Sequence, residues 1–144
     1  MFQKDYILRM VEMIGELIAV VLGLLKRGDL EQAERVLERG YMDFLRQDAA
    51  FFHSLSNEKL TTGLIEEHHY QHGHLSVLAE LFFAEGELCN AQGELERASK
   101  CYGKALVLLE FLEKEDRTWS EKREERISVI GKKIATFNAN KRLS

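Results

Sequence analysis

The sequence predicts an all-α fold of about six antiparallel helices in a single domain spanning residues 1–144, on three observations. The chain has no proline and only ten glycines, so few residues break a helix. Apolar residues recur at steps of three and four along most of its length, which is the period of an amphipathic helix. Short turn and capping signals separate the periodic stretches: Gly28-Asp29, Ser54 to Asn57, Gly73, Gly93-Glu94 and the charged run Glu113 to Arg117. With 45% hydrophobic and 31% charged side chains, the chain has the composition of a soluble globular domain. Its length is enough to bury roughly two-thirds of the unfolded surface without a covalent staple.

The first helix is expected from about Phe2 to Arg27. Ile7, Met10, Ile14, Leu17, Val21 and Leu24 form one apolar stripe, and Val11, Ile18, Leu22 and Leu25 form a second. The second half of this helix is therefore apolar nearly all round, as befits a helix that is central to the fold or covered by another molecule. Gly28 suits a left-handed C-terminal position and Asp29 an N-cap, with Gln32 placed to close a capping box. Leu30, Ala33, Leu37, Gly40, Tyr41, Phe44 and Leu45 mark the second helix, which Ala49 to Phe52 is expected to extend by two turns.

Ser56 or Asn57 caps a short third helix facing inward with Leu60, Leu64, Ile65 and His68 and ending at Gly73. A fourth helix follows from about His74 to Ala91, and a fifth from Leu95 to about Glu113. Thr118 with Glu121 forms a further capping box, opening a sixth helix over about 118–138 whose face is Trp119, Ile127, Ile130, Ile134 and Phe137. Asn138 to Ser144 is expected to fray.

Residues 79–112 carry the most regular pattern. Phe82, Gly86, Gly93, Ala98, Tyr102 and Ala105 stand at the relative spacing of a tetratricopeptide (TPR) unit, which this stretch resembles. Gly28, Leu30, Ala33 and Gly40 repeat the positions of Gly93, Leu95, Ala98 and Ala105 at an offset of 65 residues, so residues 14–47 look like a second unit. Val21 stands there opposite Gly86. Glu85 and Cys89 occupy places where the family usually has large apolar or aromatic side chains, and the proline expected near Glu110 is missing.

The resemblance implies a right-handed array of helical hairpins with a C-terminal closing helix. It also implies a non-catalytic protein–protein interaction or assembly module, with a partner peptide held on the face lined by the first helix of each unit. Carried onto this chain, that face includes Glu80, Phe83, Glu87 and Asn90, together with Ile18, Leu22 and Leu25. A basic or amphipathic segment would suit it. No phosphate-cradling GxxxxGK[ST] or GxGxxG motif and no GxSxG elbow occurs, so the expectation is of no enzyme and no cofactor.

A net charge of −4 gives no polyanion signature, and nucleic acid is not an expected partner. The longest apolar run, Leu17 to Leu25, is nine residues, against the ~20 needed to span a bilayer. Glu16 precedes this run and Lys26-Arg27 follow it, the wrong order for a signal peptide, so a cytoplasmic protein without a membrane segment is expected. Cys89 and Cys101 lack a CxxC partner and read as a reduced, buried pair.

Two alternative functions stand beside the interaction module. Glu66, His68, His69, His72 and His74 fall within nine residues, with His68 and His72 one helical turn apart. Imidazole and carboxylate there suit zinc, iron or nickel, or a proton switch near neutral pH. The other alternative is a purely structural homodimer joined through the N-terminal helix.

Overall fold

Among the described residues, 2–116 and 120–143, the computed structural model contains seven α-helices and one π-helical turn, and no strand. In chain order these are α1 (Phe2–Lys26), α2 (Leu30–Leu45), α3 (Ala49–His53), the π turn (Lys59–Gly63), α4 (Leu64–His68), α5 (His72–Ala91), α6 (Leu95–Glu115) and α7 (Glu121–Leu143). None is long and apolar enough to cross a membrane.

The two glycine turns predicted from the sequence adopt the same geometry. Gly28 and Gly93 have φ of 77° and 79°, a region that a side chain would strain. Asp29 N–H donates to Leu24 O at 2.9 Å and Gly28 N–H to Leu25 O at 3.0 Å. Glu94 N–H donates to Cys89 O at 2.9 Å and Gly93 N–H to Asn90 O at 3.1 Å. Both patterns satisfy the last helical carbonyls in the Schellman manner.

The region between these two turns departs from expectation in four places. Arg46, at φ 62°, terminates α2, so Ala49 to Phe52 form a separate helix rather than an extension. The Asp48 carboxylate starts that helix by accepting Phe51 N–H at 2.9 Å, a cap worth about 1 kcal/mol. Ser56 does cap the next segment, accepting Lys59 N–H at 3.2 Å. That segment widens into the π turn, whose extra residue per turn lets Leu60, Thr61, Gly63 and Leu64 all face the core. His69, at φ 58°, then ends α4. Gly73, expected to be the terminator, lies in the first turn of α5, where a Cβ would come within 2.1 Å of Ile7 Cγ2. Its role is close approach to α1.

The central position, one of the two expected for α1, is taken by α5. Eleven of its residues are buried, among them Leu75, Leu78, Leu81, Phe82, Phe83 and Leu88, and they are distributed around the helix rather than along one stripe. Helices α1, α2 and α6 pack against it. Helix α1 contributes Met10, Ile14, Ile18, Val21 and Leu24 to the core, while α6 contributes Ala98, Tyr102, Ala105, Leu108 and Leu112. Gly86 on α5 faces the ring of Tyr102, with 2.7 Å between an added Cβ and Cε1.

Helix α7 closes the side of α5 and α6. Arg126 pairs with Glu80 at 2.9 Å and Lys133 with Glu87 at 2.8 Å. The equal seven-residue steps show that α7 runs beside α5 in the same sense. Ile130 is fully buried between these pairs, and Phe137 stacks on Tyr102 at 5.8 Å. The helix continues to Leu143, so most of the stretch expected to fray is helical. Thr118 and Trp119 lie outside the described residues. At the start of α7, Ser120 Oγ accepts Arg123 N–H at 3.2 Å.

The Gly86 contact generates a paired prediction. Gly86→Leu must displace the Tyr102 ring and should lower stability by about 1–3 kcal/mol. Gly103→Ala, on α6 with open space around its Cβ, should raise stability by roughly 0.5–1 kcal/mol. Urea unfolding of the two variants checks the contrast; a stable Gly86→Leu protein would refute the tight α5–α6 contact.

Candidate functional site

The histidine-rich segment does not assemble into a ligand cluster. Glu66, His68 and His69 are exposed around the left-handed turn at His69, and His72 and His74 are half-buried in the first turn of α5. His68, expected to face inward, is thus exposed, and His72 and His74 are more covered than it is. Leu64 is buried as expected, whereas His68, one turn further on, is the last residue of α4 before the chain turns away at His69 and is exposed, its ring edge-on to Phe51 at 5.4 Å. His74 has a defined local role. Its Nδ1 accepts Gln71 N–H at 2.9 Å, completing the cap of α5, and its ring stacks on Tyr70 at 4.9 Å. Tyr70 in turn donates its hydroxyl to Leu45 O at 2.7 Å.

The residues expected to line a partner face are largely engaged within the chain. Phe83 is buried with the Arg126 guanidinium 3.9 Å from its ring centroid, and Glu80 and Glu87 are held by α7 as described. Glu87 also accepts the Tyr102 hydroxyl at 2.8 Å. Burial pushes the Glu80 carboxyl above its usual range, against the pull of Arg126. Ile18 is buried, Leu22 and Leu25 are half-buried against the core, and Asn90 is exposed.

A different row of α1 is open to solvent. Tyr6 is 55% exposed, Met13 50% and Val20 53%, and Arg9 and Glu16 alternate with them at steps of three and four. These side chains line an open groove between α1 and α2, floored by Met10, Leu17 and Phe44. Met42 on α2, together with Leu8 and Val11, adds further exposed apolar surface.

The second notable constellation is internal and centres on Glu85. From the middle of α5 its carboxylate accepts the Tyr41 hydroxyl of α2 at 2.6 Å on Oε1. Oε2 lies 2.7 Å from His53 Nε2 of α3 and 3.6 Å from Cys101 Sγ of α6. Burial alone would raise the Glu85 pKa, but the bonds from His53, Tyr41 and Cys101 outweigh it and hold the carboxyl below its usual range. Burial and the facing carboxylate push the Tyr41 phenol up. Cys89 and Cys101 are free, buried and in contact. The hydrogen bond to Cys89, burial and Glu85 all keep the Cys101 thiol protonated, and that same bond makes Cys89 the more readily ionised of the two.

Tyr41, His53, Glu85 and Cys101 come from four elements, and no local spacing links them. The signal present in the sequence was the pair Glu85 and Cys89, standing at positions where apolar residues are usual. No protein-family model, curated protein or solved structure matches the chain.

The His74 cap predicts a pH dependence. Burial lowers the His74 pKa below its ordinary 6.5, so the unfolded chain binds this proton more readily than the folded one. Its contribution to stability is intact above the ordinary value and lost as pH falls through it toward the lowered one. His74→Gln retains an acceptor at the same capping position without a titrating group. Between about pH 8 and about pH 5.5, wild type should lose urea resistance relative to this variant. Parallel profiles for the two proteins would refute the assignment.

Proposed function

We propose that the protein is a non-catalytic assembly module of TPR-like helical hairpins in antiparallel order, which associates with a second copy of itself through α1. The observation that carries this reading is the exposed row Tyr6, Arg9, Met13, Glu16 and Val20, since contiguous apolar surface of this kind is uncommon on a monomer. The row has the 3–4 spacing of a helix–helix seam. It is also self-complementary. Tyr6 and Val20 are equidistant from Met13, while Arg9 and Glu16 stand four and three residues from it on opposite sides. Two copies crossing head to tail about a two-fold axis at Met13 therefore bring Tyr6 against Val20 and Arg9 near Glu16, twice per dimer. The Arg9 and Glu16 charges set the register, and the apolar side chains supply most of the affinity. Two free buried thiols fit a reducing compartment such as the cytoplasm.

Light scattering across a concentration series tests the dimer. Met13→Asp with Val20→Asp should yield a folded monomer, because both side chains are solvent-exposed in the isolated chain. Arg9→Glu should weaken association by setting like charges against each other, and Arg9→Glu with Glu16→Arg should restore it. A wild-type protein that stays monomeric at high concentration would overturn self-association, as would a double charge swap that fails to rescue.

A further inference from the structure

We propose that His53, Glu85 and Cys101 form a binding site for a borderline-soft divalent transition metal, with zinc as the best match. The proposal is independent of the assembly reading, because this cluster lies among α2, α3, α5 and α6, away from the exposed row of α1.

The geometry is near that of a metal centre. One ligand atom from each residue lies within 4.8 Å of the other two. A tetrahedral zinc ion with bonds of about 2.0–2.3 Å sets its donors roughly 3.3–3.7 Å apart. Cys101 Sγ is already 3.6 Å from Glu85 Oε2. His53 Nε2, at 2.7 Å from the same oxygen, has to move out by about half an ångström as their hydrogen bond is exchanged for two bonds to the metal. Small side-chain rotations accomplish this without moving a helix.

The donor set is selective. Nitrogen, oxygen and sulfur from three helices suit zinc and its neighbours, and the thiolate disfavours magnesium and calcium, which prefer oxygen alone. The Tyr41 hydroxyl bonds the other carboxylate oxygen, Oε1, at 2.6 Å and so fixes the plane of the ligand, the usual task of an outer partner in such sites. Access is built in as well. The His53 and Glu85 side chains keep 28% and 13% of their surface in contact with solvent, whereas Cys101 at the inner end is buried. Binding displaces the thiol proton of Cys101 to solvent, and the thiolate and carboxylate together balance the charge of the ion.

Stability alone gives little reason for such a cluster. A buried ionic pair contributes no more than well-packed apolar residues of similar volume, and often less. Here an imidazole, a carboxylate, a phenol and two thiols converge among core residues that are mostly aliphatic and aromatic, the other buried polar side chains being Thr61 and Arg123 among the described residues.

The test uses untagged full-length protein, titrated with zinc chloride and, as a spectroscopic probe, cobalt chloride. The expected result is one-to-one binding, a zinc-dependent rise in the thermal midpoint, and a thiolate-to-cobalt charge-transfer band in the near ultraviolet. Cys101→Ser should abolish the band, His53→Gln should remove saturable binding, and Tyr41→Phe should weaken binding about 10–100-fold. A variant with His68, His69 and His72 changed to Gln should bind like wild type, which separates this site from the surface histidines. Circular dichroism of each apo variant confirms that it is folded. If the folded wild-type protein shows no saturable one-to-one binding, or if binding survives either Cys101→Ser or His53→Gln, the site is overturned.

Discussion

Helix α5 has to be covered on every side, and the rest of the structure follows from that requirement. A twenty-residue helix with eleven buried positions cannot rest one face in water. Helices α1, α2 and α6 cover most of its circumference, and α7 completes the enclosure along the side of Glu80, Phe83 and Glu87. Tight approach is possible because α5 carries small residues, Ala79, Ala84 and Gly86, among its large ones. Gly86 admits the Tyr102 ring, and Tyr102 then presents its hydroxyl to Glu87 and its face to Phe137. A single missing side chain thus connects the α5–α6 contact to the seating of α7.

Carboxylates on so enclosed a helix need partners, since a buried unpaired charge costs several kcal/mol. Glu80 and Glu87 project toward α7 and meet Arg126 and Lys133. Glu85, on another side, meets an imidazole, a phenol and a thiol instead of a lysine or arginine. The difference matters chemically. Arg126 and Lys133 neutralise a charge permanently and leave nothing to exchange, while imidazole and thiol are groups whose protons a metal ion displaces.

The helices legible in the sequence are those whose boundaries are set locally. Gly28 and Gly93 announce left-handed turns that only glycine adopts easily, and these turns and the apolar periods place both ends of α1, α5 and α6, and the start of α2, within two residues. The errors fall where a boundary depends on something non-local. Arg46 and His69 adopt the left-handed conformation despite their side chains, each at roughly 1–2 kcal/mol, and no pattern in the sequence marks them. The π turn is equally silent, yet its additional residue brings Leu60, Thr61, Gly63 and Leu64 to the core together. On α1, periodicity identified apolar stripes but not which one the core would take. Burial of Met10, Ile14 and Val21 was legible, whereas the exposed row at Tyr6, Met13 and Val20 emerges only once α5 is known to be the helix at the centre.

The two histidine environments show why density along the chain is a poor guide to chemistry. Four histidines within seven residues suggest a ligand set, but a helix end splays them: His68 and His69 turn to solvent, and His74 is occupied with the backbone of Gln71. His53 is solitary in sequence, 32 residues from the carboxylate it meets. Its position is determined because α3 is a single short helix pinned at both ends, by the Asp48 cap before it and by Ser54, whose hydroxyl donates to Phe51 O at 2.7 Å, after it. Phe52 beside it is fully buried against Tyr41. Packing of that neighbour, and not any motif, orients the imidazole toward Glu85. Convergence in space from elements far apart in sequence requires each element to be held by its own core contacts, and that is the condition α2, α3, α5 and α6 meet around this carboxylate.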